Sequence, residues 1–98
     1  MHALLIARFR GQVDDLLRAY DRAHRAVIDA GGPPGELRHH CAVDDDSLYL
    51  VGLWESEDAI RERFASEAFQ TTLSGAGFPA MEEAEITVLR VHAVEPPL

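Results

Sequence analysis

His24 stands four residues after Tyr20 and four before Ile28, so the three share one stripe if this stretch is helical. An imidazole on the sheet-facing side of a helix needs either a hydrogen-bond partner or a cavity. It is then a core histidine bonded to a carbonyl or carboxylate, or a general base or acid beside a ligand. Tyr20 poses the same choice, since its ring packs well and its hydroxyl needs only one acceptor. His39 and His40 form the second candidate group. As neighbours on a strand they point to opposite faces and cannot ligate one metal together. The turn after them decides which of the two joins Trp54. A two- or four-residue loop pairs Leu48 with Val43 and sets His39 opposite Gly52 on the Trp54 face. A three-residue loop substitutes His40 and Arg38. Gly52 leaves room for whichever side chain arrives. One histidine is therefore expected in a pocket with Tyr20, His24, Gly52 and Trp54, and the other on the far side of the sheet.

Other reactive types carry less. Asp44–Asp46 lacks the spacing of a calcium loop and reads as a solvated turn, and the acids between Glu82 and Glu85 read as a solvated run. Cys41 is a small strand hydrophobe before it is a nucleophile. No Ser-His-Asp signature, glycine-rich phosphate loop or zinc spacing occurs. No metal or other cofactor is expected.

Positioning these residues requires four strands and two helices. His2–Phe9 is a short apolar run, read as a strand buried on both faces. From Val13 the period becomes helical, with Leu16, Leu17, Tyr20, Ala23, His24, Val27 and Ile28 on one stripe. Asp14 and Asp15 suit the first turn, and Gly31-Gly32-Pro33-Pro34 ends the helix. Leu37–Val43 and Leu48–Trp54 read as a hairpin around Asp44–Ser47. Ser56 caps a second helix, with Ile60, Phe64, Ala68 and Leu73 as its inner row and Ser66 as a candidate break. Glu85–Val94 supplies the last strand. The order β-α-β-β-α-β predicts one ferredoxin-like α+β domain over residues 1–98, with helices on one face of a four-stranded antiparallel sheet. The first and third strands, nearly all apolar, belong at its centre.

Composition bounds what such a domain can do. The chain has 98 residues, 17 acidic against 9 basic, for a formal charge of −8. That surface disfavours nucleic acid and anionic membranes. A single cysteine precludes an intrachain disulfide, and the short run before Arg8 is neither a signal peptide nor a membrane span. A cytoplasmic protein is expected. A chain this short buries only about 60–65% of its unfolded surface. Its third strand is apolar on both sides, so a second copy of the sheet is the expected cover, as a homodimer.

Leu48-Tyr-Leu-Val-Gly-Leu-Trp-Glu-Ser56, followed by Glu57-Asp-Ala59 and a helix containing Phe64, resembles the strand-to-helix segment of the antibiotic-biosynthesis-monooxygenase-like group of the dimeric α/β-barrel superfamily. The resemblance implies a barrel of two facing sheets, with a pocket between each sheet and its own helices. It also implies that Trp54, matching the tryptophan that ends the third strand in quinone-forming and haem-degrading members, lines that pocket. The first-strand asparagine of the oxygenases has no counterpart, because the chain contains no asparagine. The second-helix histidine that ligates haem is absent as well, as residues 56–79 hold no histidine. The expected function is a cofactor-free enzyme, an oxygenase, cyclase or isomerase, acting on an aromatic or polycyclic small molecule. His24 and His39 or His40 would move protons, and Tyr20 and Trp54 would stack on the substrate. The alternative is a homodimer that binds a ligand or a partner without catalysis.

Overall fold

The computed structural model describes residues 1–98, and its first strand sets the layout. In β1 (Ala3–Arg10), Ala3, Leu5, Ala7 and Phe9 are buried on one face, while Leu4, Ile6 and Arg8 are half-buried on the other. This is the period-two pattern of a central strand. β1 is followed by α1 (Val13–Asp29), β2 (Glu36–Val43), β3 (Ser47–Trp54), α2 (Glu57–Ala65), α3 (Glu67–Gly75), a 3₁₀ turn at Met81–Glu83, and β4 (Glu85–Arg90). The sheet order is β2-β3-β1-β4, antiparallel throughout, so the two apolar strands are central as their composition requires. The helices cover one face, giving the ferredoxin-like α+β fold.

Leu16, Ala19 and Ala23 are the buried centre of α1, and Ile28, expected inside, is exposed. Small alanines let the helix approach the sheet closely, and the period seen from larger residues alone misses Ala19. Ser56 accepts the Ala59 N–H (3.1 Å) to start α2, and Ser66 accepts the Phe69 N–H (3.2 Å) to start α3. Each such cap contributes about 1 kcal/mol. Ser66 leaves helical geometry, at φ −70° and ψ 117°, and this resets the helical phase of α3. At about 100° per residue, Phe69 would lie opposite Ile60 on an unbroken helix. The break instead turns Phe69 and Leu73 inward, while Ala68, expected on the inner row, is exposed.

β4 stops at Arg90, four residues short of the expected Val94. Its partner β1 begins at Ala3, opposite Arg90, and only a Val91 N–H to His2 C=O bond (3.0 Å) continues the ladder. An edge strand extends no further than its neighbour.

Two buried clusters result. Phe9, Leu16, Leu48, Leu73 and Phe78 join β1, α1, β3 and α3, with the Phe9 and Phe78 rings edge-on at 4.9 Å. Ala3, Leu5, Trp54 and Ile60 form the second, under α2. On the uncovered face, Leu4 pairs with Leu53 and Leu89, and Ile6 pairs with Val51, making an apolar patch. Arg8 borders it, held by Ser47 Oγ (3.0 Å), Asp46 (3.6 Å) and Glu85 (3.7 Å).

Candidate active site

Val43 pairs with Leu48 and His39 with Gly52, the register of a four-residue loop. Hairpin parity therefore puts His39 on the helix-facing side with Trp54. His40 pairs with Val51, projects from the opposite face and is exposed, so it is removed from the candidate site.

A bulge at Leu37 then changes what accompanies His39. The ladder steps from Glu36–Trp54 to Arg38–Leu53, so one residue of β2 has no counterpart on β3. On a regular strand, residues three apart face opposite ways. The extra residue cancels that, and Glu36 lands on the same face as His39. Glu36 Oε2 lies 3.1 Å from His39 Nδ1, and His39 Nε2 lies 2.8 Å from the Tyr20 hydroxyl, supplied by α1. A carboxylate only accepts, so Nδ1 carries the proton and Nε2 accepts from Tyr20. The hydroxyl is 3.4 Å from His24 Nδ1. The three rings lie nearly parallel, with centroids 5.5 to 6.0 Å apart. His24, expected to face the sheet, is exposed beyond Tyr20 and is not a core histidine.

These groups border a cavity of about 240 Å³ whose wall is mostly apolar, including Leu5, Leu50, Phe64, Phe69 and Leu73, with Arg38 and Arg63 as its other charged members. Tyr20, His24, His39, Gly52 and Trp54 all line it. Gly52 is required by space: a Cβ there would stand 2.7 Å from Trp54 Nε1 and would also run into Glu36 Oε2. A wider cleft of about 540 Å³ shares the Phe64, Phe69 and Leu73 wall and opens toward Ile86. Its lining has no histidine, so the histidine and tyrosine cluster belongs to the smaller cavity.

Burial pushes the Tyr20 phenol up to about 12, helped by negative charge at Cys41, Glu36 and Asp21. Burial and Asp21 likewise push the Cys41 thiol up to about 11, which leaves it a poor nucleophile at neutral pH. Tyr20 is therefore a hydrogen-bond donor across the physiological range. A phenol whose folded pKa exceeds its unfolded value of 10.0 stabilises the fold fully below pH 10, and that contribution is lost as pH rises toward 12. Tyr49 is raised too, by its bond to Asp44. Absorbance titration of folded Tyr49→Phe protein, in which Tyr20 is the remaining phenol, is expected to show little phenolate at pH 10, with a step near pH 12 that a further Tyr20→Phe removes. A full tyrosine step at pH 10 would show that Tyr20 is exposed and unbonded.

Glu36, Arg63 and Phe69 complete the cavity, and none of the three is singled out for it by sequence pattern. Arg63 follows Ile60 by three residues, and its place on that stripe is the available signal. No cluster of three or more His, Cys, Asp or Glu side chains is arranged to hold a metal ion, and no helix is long and apolar enough to cross a membrane.

The sequence matches no protein-family model and no curated protein. Solved structures do match along the whole chain. SnoaB from Streptomyces nogalater, described as a cofactor-independent oxygenase, is 18% identical over 98% of both chains, with a TM-score of 0.69. Rv0793 from Mycobacterium tuberculosis is 18% identical over 97% of this chain and 99% of its own, with a TM-score of 0.68. An antibiotic biosynthesis monooxygenase is 16% identical over 95% and 100%, with a TM-score of 0.63. Their shared architecture, at this level of identity, is what the comparison carries. The chain has a ferredoxin-like α+β fold similar to that of SnoaB, Rv0793 and the antibiotic biosynthesis monooxygenase.

Proposed function

We propose that the protein is a monooxygenase-like, cofactor-free enzyme that removes a proton from an aromatic or polycyclic small molecule. The observation that carries this reading is the hydrogen-bonded chain Glu36–His39–Tyr20 at the wall of an apolar cavity. Glu36 fixes the imidazole tautomer and stabilises the imidazolium that forms on proton uptake. Tyr20 holds Nε2 in the resting state and gives it up when substrate enters. Trp54 and the phenylalanines supply the apolar bed. The carbanion or enolate so produced is the species that cyclises, isomerises or reacts with oxygen. SnoaB, with its described cofactor-independent oxygenase activity, supports the class by fold. A second copy of the chain covers the apolar sheet face and completes the barrel.

Anthrone tests this, because loss of one ring-flanked C–H proton yields an aromatic enolate. The protein is expected to accelerate exchange of that hydrogen in deuterium oxide under nitrogen, as followed by proton NMR. Saturable anthrone binding with exchange no faster than in buffer would instead assign a ligand-binding role without catalysis.

A further inference from the structure

Two buried side-chain polar atoms in this protein have no hydrogen-bond partner, Trp54 Nε1 and Arg63 Nε. Both are donors, and both residues line the same cavity. Trp54 is 3% exposed, so its N–H cannot turn to bulk solvent for an acceptor. An unmet buried donor forfeits the hydrogen bond it made to water, and the cost is greater where the group is charged. Two such costs at one cavity are the mark of a site built for an acceptor from outside the chain.

Charge narrows the acceptor's chemistry. Glu36 is the cavity's single acid, against Arg63 and the exposed Arg38. The Glu36 carboxylate is already bonded to His39, and it forms no ion pair with Arg63. The Arg63 guanidinium lies over the Phe69 ring, 4.0 Å from its centroid, which fixes its plane beside an aromatic wall. Burial lowers the basicity of Arg63, with Glu36 opposing, but a guanidinium stays charged at neutral pH. A chain of net charge −8 thus keeps an unpaired cation in its apolar cavity.

We propose that the cavity takes an aromatic ligand bearing an oxyanion, a carboxylate in its simplest form, received by Arg63 and Trp54. The proposal rests on the pocket reading above and adds to it the polarity of the ligand. The anionic end docks at α2 and β3, and the aromatic body lies along Phe64 and Phe69. Planar acids are also what an arginine fork recognises best.

Isothermal titration with 2-naphthoate and its neutral analogue 2-naphthamide, on the whole protein, separates charge recognition from apolar binding. The acid is expected to bind roughly tenfold more tightly or better, the worth of a charge-assisted hydrogen bond. Arg63→Met should abolish that preference while still binding the amide, which also verifies that the cavity has survived the substitution. Arg63→Lys should keep most of it. Equal binding of acid and amide to the unaltered protein, or an undiminished preference in Arg63→Met, would overturn the proposal and leave the pocket reading intact. Failure of both probes to bind would overturn the two together.

Discussion

His39→Gln is expected to slow anthrone proton exchange by about 10²- to 10⁴-fold, the usual contribution of a positioned general base. Glutamine still donates to Glu36, so no buried carboxylate is left unpaired and the fold should hold. Anthrone binding should change little, because His39 acts on a reacting proton rather than on the ligand's apolar body. Glu36→Gln should approach the same loss by another route. Its amide can donate to Nδ1, and that reverses the imidazole tautomer and leaves Nε2 protonated where a base is needed. Initial rates across pH, together with a thermal melt of each variant, separate lost chemistry from lost structure. An unaltered rate in His39→Gln would make the residue part of the wall and leave the proposed reaction without a base.

The second large effect is expected on the opposite face of the sheet. Val51 pairs with Ile6 at the centre of the uncovered patch. Val51→Glu would place a carboxylate between two facing sheets with no partner, at a cost of roughly 3–5 kcal/mol per uncompensated buried charge. Light scattering at micromolar concentration should give a dimer for the unaltered protein, and a monomer or an unfolded chain for the variant. A folded unaltered protein that scatters as a monomer would remove the second sheet from the reading. The patch would then be the protein's own exposed surface.

Much of the architecture could be read from periodicity, because side-chain volume and polarity repeat with the geometry that buries them. The stripe from Leu16 to Ala23, the apolar central strands and the serine caps at Ser56 and Ser66 are of this kind. Which of His39 and His40 faces Trp54 depended on the parity of one loop, and composition does not count loop residues. Asp44–Ser47 proved to be four residues in pairing terms, although Ser47 is hydrogen-bonded into β3 opposite Arg10. Glu36 was beyond reach for a different reason: strand alternation assigns it to the wrong face, and nothing in Glu36-Leu-Arg-His39 announces a bulge. Arg63 was hidden by habit, since a charged residue on a short helix is ordinarily read as solvated. Phe69 and Ala68 exchanged places because Ser66 breaks the phase on which their assignment depended. Elements set by many weak repeats were legible, whereas positions set by a single irregularity were not.

The bulge at Leu37 has a consequence for comparing this chain with others of its fold. Whether a glutamate three places before a strand histidine is its partner is decided by how many residues separate them in space, not by which residues they are. Two chains could both carry Glu-x-x-His in β2 and differ completely in proton chemistry, one with the bulge and one without. Conversely, a chain with Glu-x-His and a regular strand could share the chemistry while sharing no motif. In an alignment of β2, a one-residue gap would therefore carry more functional information than most substitutions beside it.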